Sequence, residues 1–142
     1  MSVAQGERTD GKLKVLVLAM ELTTYTLKIT KNQKVFKPEY NTAITNDIIH
    51  AAKQIFSLAW RANNIRVVDQ SDPDGEADRL KERLRLQEEA IEWCNEMLPM
   101  IQIAKAVFHL SNKRVKYWGE RTIEVRTYLR NWRTADKKRY KK

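Results

Sequence analysis

Few residues in this chain have the type and spacing for metal or covalent chemistry. Asp47-Ile48-Ile49-His50 sets an acid three residues before a histidine, a spacing that offers both to one metal from a single helix face. A di-iron bundle needs that pair on two helices, plus a glutamate from each of two others. The only other histidine, His109, has no acid three residues before it, so Asp47 and His50 read as surface or interface residues and no metal is expected. A single cysteine, Cys94, excludes an internal disulfide and a cysteine-built zinc site, and suits a reducing cytoplasm. Its place among apolar neighbours makes it a small buried hydrophobe sooner than a nucleophile. No glycine-rich phosphate loop, G-x-S-x-G or H-E-x-x-H occurs. No catalytic residue and no cofactor is predicted, which points away from an enzyme.

The chemistry the sequence does concentrate is positive charge. The net charge is +9, with 27 Lys+Arg against 18 Asp+Glu. Residues 1–110 hold 15 of each sign, so the whole excess lies in residues 111–142, with 12 basic and 3 acidic side chains. A concentrated excess attracts polyanions, whereas an even spread serves solubility alone. Arg126, Arg130, Arg133 and Lys137 follow i, i+4, i+7, i+11 and would form one ridge on a helix, leading into Lys138 and Arg139. Arg114 and Arg121 fall on the other flank of the same helix. Arginine forks match phosphate oxygens, and Tyr128 and Tyr140 could stack on unpaired bases. The bland alternative is a solvated helix face. Glu120 and Glu124 lie across the helix from the ridge, while Glu88, Glu92 and Glu96 could pair with part of it. No base-reading motif is present, so contact with backbone and shape is expected.

These residues must be positioned by helices. Gly 4 and Pro 3 are low counts for 142 residues and favour long helices with short links. Residues 1–11 are polar and read as a disordered segment; residues 12–137 read as an all-α, up-and-down four-helix bundle, and residues 138–142 as a basic extension. Leu18, Leu22, Tyr25 and Ile29 mark helix one. Ile44, Ile48, Ala52, Ile55, Ala59 and Ala62 mark helix two, starting at about residue 39 or 41. Leu80, Leu84, Gln87, Ile91, Cys94, Leu98 and Ile101 mark helix three, which Pro99 should kink or divide. Ser111 is the expected N-cap of helix four, which carries Val115, Trp118, Thr122, Val125, Leu129 and Trp132. Steps of three and four throughout indicate bundle packing. The apolar run Val15 to Met20 is far short of the ~18 residues of a membrane span, and no cleavage site follows it, so no membrane is expected as a partner.

Two helices carry a second apolar stripe, about 100° round from the first. Helix two has Ile49, Phe56 and Trp60; helix three has Leu86, Trp93, Met97, Met100 and Ala104. Such an arc either thickens the core or meets another subunit. Left exposed, it would be large for a soluble monomer. The expectation is a homo-oligomer joined through helices two and three, with Ile49, Phe56, Trp60, Leu86, Trp93, Met97 and Met100 at the interface.

Several stretches together resemble one family. "TLKITKNQKVFKPEY" leads into helix two, "AKQIFSLAWRAN" ends it, "RLRLQEEAIEWCNEML" lies on helix three, and "LSNKRVKYW" precedes "LRNWRTADKKR". In order and spacing, over about Leu22 to Arg139, they are similar to the Avd-like four-helix-bundle proteins. These are the accessory variability determinants of diversity-generating retroelements, related to proteins encoded in ribosomal-RNA intervening sequences. The resemblance implies a cytoplasmic, non-enzymatic, basic protein that assembles as a barrel-like homopentamer. It implies binding to nucleic acid, RNA or DNA, and to a reverse transcriptase, in support of mutagenic copying of template RNA into cDNA. Phe36, Gln87, Ala90, Cys94, Ser111, Trp118, Leu129 and Trp132 match positions that look structural. Lys37 separates Phe36 from Pro38, where the family pattern has the two adjacent, and Pro99 departs from it within helix three.

Overall fold

The computed structural model describes the backbone of residues 3–140 and the side chains of residues 14–140. Four helices follow one another: α1 Val3–Thr30, α2 Asn46–Asn63, α3 Glu76–Phe108 and α4 Asn112–Arg139. Each packs on the next and α4 closes against α1, giving an up-and-down bundle with no strand among the described residues. Most of the stripes read from sequence supply its centre, but Tyr25, Leu80, Leu84 and Leu98 are only half-buried, and the buried face of α3 is turned toward Leu86, Ala90 and Met97. Ile48, Ala52, Ile55, Ala59, Ile91, Cys94, Ile101, Val125 and Leu129 are all buried. Trp118 is fully buried and donates its Nε1–H to Thr26 Oγ1 at 3.0 Å, so the one polar atom of a large core side chain is satisfied. All eight positions with a structural look serve packing or capping: seven are buried, and Ser111 caps α4 by accepting the Arg114 backbone N–H at 3.1 Å.

The helix limits differ from the expectation at several points. Helical backbone begins at Val3, although residues 1–11 read as a disordered segment. Each residue added to an existing helix gains a hydrogen bond without a new nucleation cost, so a packed Val15–Thr30 segment can extend backwards. Residues 1 and 2 lie outside the described residues. At the other end Lys138 and Arg139 belong to α4 rather than to an extension, and residues 141 and 142 lie outside the described residues. Pro99 does not divide α3. Its side chain is exposed, so the ring faces solvent and only one backbone bond is forfeited.

The link from α1 to α2 is built by local chemistry. Asn32 Oδ1 accepts the Lys34 N–H at 3.1 Å, and the Asn32 carbonyl accepts the N–H groups of Val35 and Phe36. Phe36 is buried against Phe108 and Trp118 and pins the link to the bundle. Lys37 is extended (φ −63°, ψ 132°), as the residue before a proline must be, and Pro38 opens a short 3-10 turn over Pro38–Tyr40. One wider turn, Asn41–Thr45, then feeds α2. The α3–α4 link is shorter. His109 takes the left-handed conformation (φ 56°) that usually falls to glycine, and the Leu110 N–H closes on the Lys105 carbonyl.

The proposed interface stripe is corrected in two respects. Leu86 and Met97 lie in this chain's own core, at 2% and 0% exposure, and cannot face a second copy. Ile49, Phe56, Trp93 and Met100 are half-buried, and Trp60 alone of the seven is exposed, at 49%, with its ring stacked on Phe56. Nor do the two stripes form one surface. The His50 ring meets Trp93 edge-on at 5.2 Å, and Arg61 lies within electrostatic reach of Glu82, so that flank of α2 faces α3. Ile49, Phe56 and Trp60 occupy the opposite flank, toward α1. Thr23 marks that contact: its single hydroxyl proton is shared between the Ala19 carbonyl of its own helix at 2.9 Å and the Ala52 carbonyl of α2 at 3.1 Å. The second stripe of α3 thus thickens the core, which the spacing alone left open.

Candidate nucleic-acid interface

Helix α4 holds its basic side chains over a floor supplied by α3. Thr122, Val125, Leu129 and Trp132 are buried, which fixes the rotation of α4 and turns Arg126, Arg130, Arg133 and Lys137 to the α3 flank. The ridge predicted from spacing is therefore present, but its members are not equally free. Arg126 donates Nη1–H to Asn95 Oδ1 at 2.8 Å. Arg133 donates Nε–H to the Leu84 carbonyl at 3.1 Å and stands 3.5 Å from the Glu88 carboxylate. These two arginines are held against α3. Arg130, Lys137 and Lys138 are exposed and have no ion-pair partner among the described residues. Between the helices, Glu88, Ile91, Asn95, Arg130, Arg133 and Thr134 line a shallow depression of about 300 Å³.

On the other flank Arg121 lies over the Tyr117 ring at 5.0 Å, with Glu124 at 3.9 Å. Arg114 is half-buried beside the cap of α4. Arg139 lies over the Tyr140 ring at 5.5 Å and 4.0 Å from Asp136. Tyr128 is half-buried, so it is a poorer stacking platform than its position suggested. Arg126, Arg130, Arg133 and Lys137 therefore form one continuous strip on the α3 side and Arg114, Arg121 and Arg139 a broken one on the other flank, while Lys138 sits about 100° beyond Lys137 on the solvent side of α4.

The sequence reading missed the anchor beneath the end of the ridge. Asp136 is fully buried, and Arg83 on α3 is 2% exposed. Arg83 donates from Nε to Asp136 Oδ2 at 2.8 Å and from Nη2 to Oδ1 at 3.3 Å, a bidentate pair. Gln87 Nε2 adds a third donor at 2.7 Å, Arg83 Nη1 reaches the Ile65 carbonyl, and the Arg83 guanidinium lies 5.3 Å over Trp132. A signal was available. Asp136 falls four residues beyond Trp132 and continues the apolar stripe of α4, where a carboxylate can persist only with a partner.

Asp47 and His50 are both exposed, and among the described residues no three His, Cys, Asp or Glu side chains come together as a metal site. Burial pushes the Cys94 thiol up to about 12, against the opposing pull of Arg126 and Arg130. Among the described residues no helix is long and apolar enough to cross a membrane. Comparison with protein-family models, with curated proteins and with solved structures returned no match to this chain.

Proposed function

We propose that this chain is a non-enzymatic, basic accessory protein that binds nucleic acid, and that its partners are a retroelement reverse transcriptase and the template RNA, in support of mutagenic cDNA synthesis. The reading includes a homo-oligomer and a cytoplasmic setting. The observation that carries it is the exposed, unpaired charge of Arg130, Lys137 and Lys138 on a helix whose rotation is fixed by its core. Phosphates would dock along this strip, and several subunits would multiply weak contacts. The resemblance of the sequence to the Avd-like proteins supplies the polymerase and the template. A second reading, a structural scaffold acting through protein contacts, is favoured by the open apolar side chains Val17, Met20, Leu27 and Trp60.

The test is binding of structured RNA to wild type and to the Arg130→Glu/Lys137→Glu variant, by anisotropy at two salt concentrations, with the mass of both by light scattering. The expected outcome is weaker binding with a salt slope reduced by about 2, at unchanged oligomer mass. Equal affinity of the two proteins in low salt would remove the ridge from the model. Partner binding with little salt dependence, and no RNA bound by wild type, would favour the scaffold.

A further inference from the structure

Charge balance over residues 1–110 hides a separation in space. The α1–α2 link and the α3–α4 turn meet at one end of the bundle. Residues 28–41 and 105–116, which build that end, hold eight Lys or Arg (Lys28, Lys31, Lys34, Lys37, Lys105, Lys113, Arg114 and Lys116) and one acid, Glu39. Most of the compensating acids lie elsewhere, in the 64–75 link and along α3. Five of these eight come from residues 1–110, whose charges sum to zero, and three from the start of α4, so this end is strongly cationic although most of its cations belong to a balanced segment.

A depression of about 400 Å³ opens there, lined by Lys34, Val35, Lys37, Glu39, Tyr40, Val107, Phe108 and His109. Lys34 and Lys37 are exposed and have no ion-pair partner among the described residues, Glu39 included. Tyr40 is 40% exposed and meets Phe108 at right angles (85°), a contact that occupies at most one face of the tyrosine ring. The walls are preorganised. Asn32 folds the link, buried Phe36 ties it to Phe108, and Pro38 fixes the approach to Tyr40. His109 is the one non-glycine residue with positive φ among the described residues, at the rim of the same depression.

We infer that this end of the bundle binds a nucleotide unit, its base stacked on Tyr40 and its phosphate held by Lys34 and Lys37. An aromatic platform beside paired cations in a concave site is the chemistry of an unpaired nucleotide, since a base inside a duplex offers no free face. The site is separate from the α4 ridge and stands whether or not the ridge binds RNA. The nucleotide can be free or part of an unpaired strand, and the two sources are separated by the probe.

The experiment titrates the full chain with a short labelled single-stranded oligonucleotide, the same sequence as a duplex, and adenosine monophosphate as competitor. Tyr40→Ala is expected to weaken the single strand roughly five- to hundredfold while sparing the duplex, and Tyr40→Phe to retain binding. Lys34→Glu/Lys37→Glu is expected to weaken the single strand and to lower its salt slope by roughly 1 to 2. Competition by the mononucleotide, lost in the same variants, assigns the free nucleotide; strand binding without competition assigns the strand. Unchanged affinity of the folded variants (helical circular dichroism retained) for both probes overturns the inference. So does equal loss of single strand and duplex in Tyr40→Ala. The Arg130→Glu/Lys137→Glu protein, run alongside, reports on the ridge alone.

Discussion

Asp136 is the residue on which the end of α4 turns. It is the sole acid near a strongly basic terminus, yet it faces inward rather than moderating the surface. Removing one member of a buried pair leaves the other charged and unpaired, so Asp136→Asn should cost about 3–5 kcal/mol. Urea denaturation would read this as a lower midpoint, and replacing both Arg83 and Asp136 by apolar residues should recover much of it. Cys94 behaves oppositely, as a polar group that burial keeps neutral. Its thiol, pushed up to about 12, stays protonated in the folded chain while an unfolded thiol ionises near ~8.5. Stability from this group is present below that unfolded value and falls as pH rises from there toward the folded one. Cys94 should therefore resist iodoacetamide at mildly alkaline pH and react promptly once urea unfolds the chain.

At the scale of the helices, the apolar stripes were legible because four long segments kept one period. Ser111 was legible as a cap, but the start of helix two, expected at about residue 39 or 41, falls later, because the Pro38–Tyr40 and Asn41–Thr45 turns precede α2 at Asn46. The fate of Pro99 was not legible, because spacing shows where a proline sits along a helix but not whether its ring meets neighbours or solvent. Its exposed position explains the unbroken α3. The helix still carries a missing backbone donor, so Pro99→Ala should raise stability by about 1–3 kcal/mol. A higher midpoint in thermal unfolding would show it, and an unchanged one would mean the helix has already absorbed the defect. The ridge was read correctly as a row. Its partial commitment to Asn95, Leu84 and Glu88 depended on how deeply α4 settles on α3, which no single-helix pattern contains. Leu86 and Met97 were misread for the same reason: a second stripe looks alike whether a neighbouring helix or another subunit covers it.

Across the whole molecule, adding charges along the chain concealed their arrangement in space, because antiparallel helices bring distant segments to a common end. The 64–75 link lies at the end opposite the cationic depression. By length and polarity it is the natural place for a protease to cut. It is nevertheless tied down by two arginines of α3. Arg83 holds the Ile65 carbonyl at 3.0 Å, and Arg79 holds the Val67 carbonyl at 3.0 Å and the Asp72 carbonyl at 2.7 Å. Trypsin should therefore cut slowly after the exposed Arg66, and Arg79→Ala should hasten that cut severalfold in a timed digest. Once nicked, the chain would consist of two helical hairpins, α1–α2 and α3–α4. They share the α2–α3 and α4–α1 seams, so the nicked protein should still migrate as one species under native conditions. The clasp that guards the link thus also marks where this chain could be split into two pieces that find each other again.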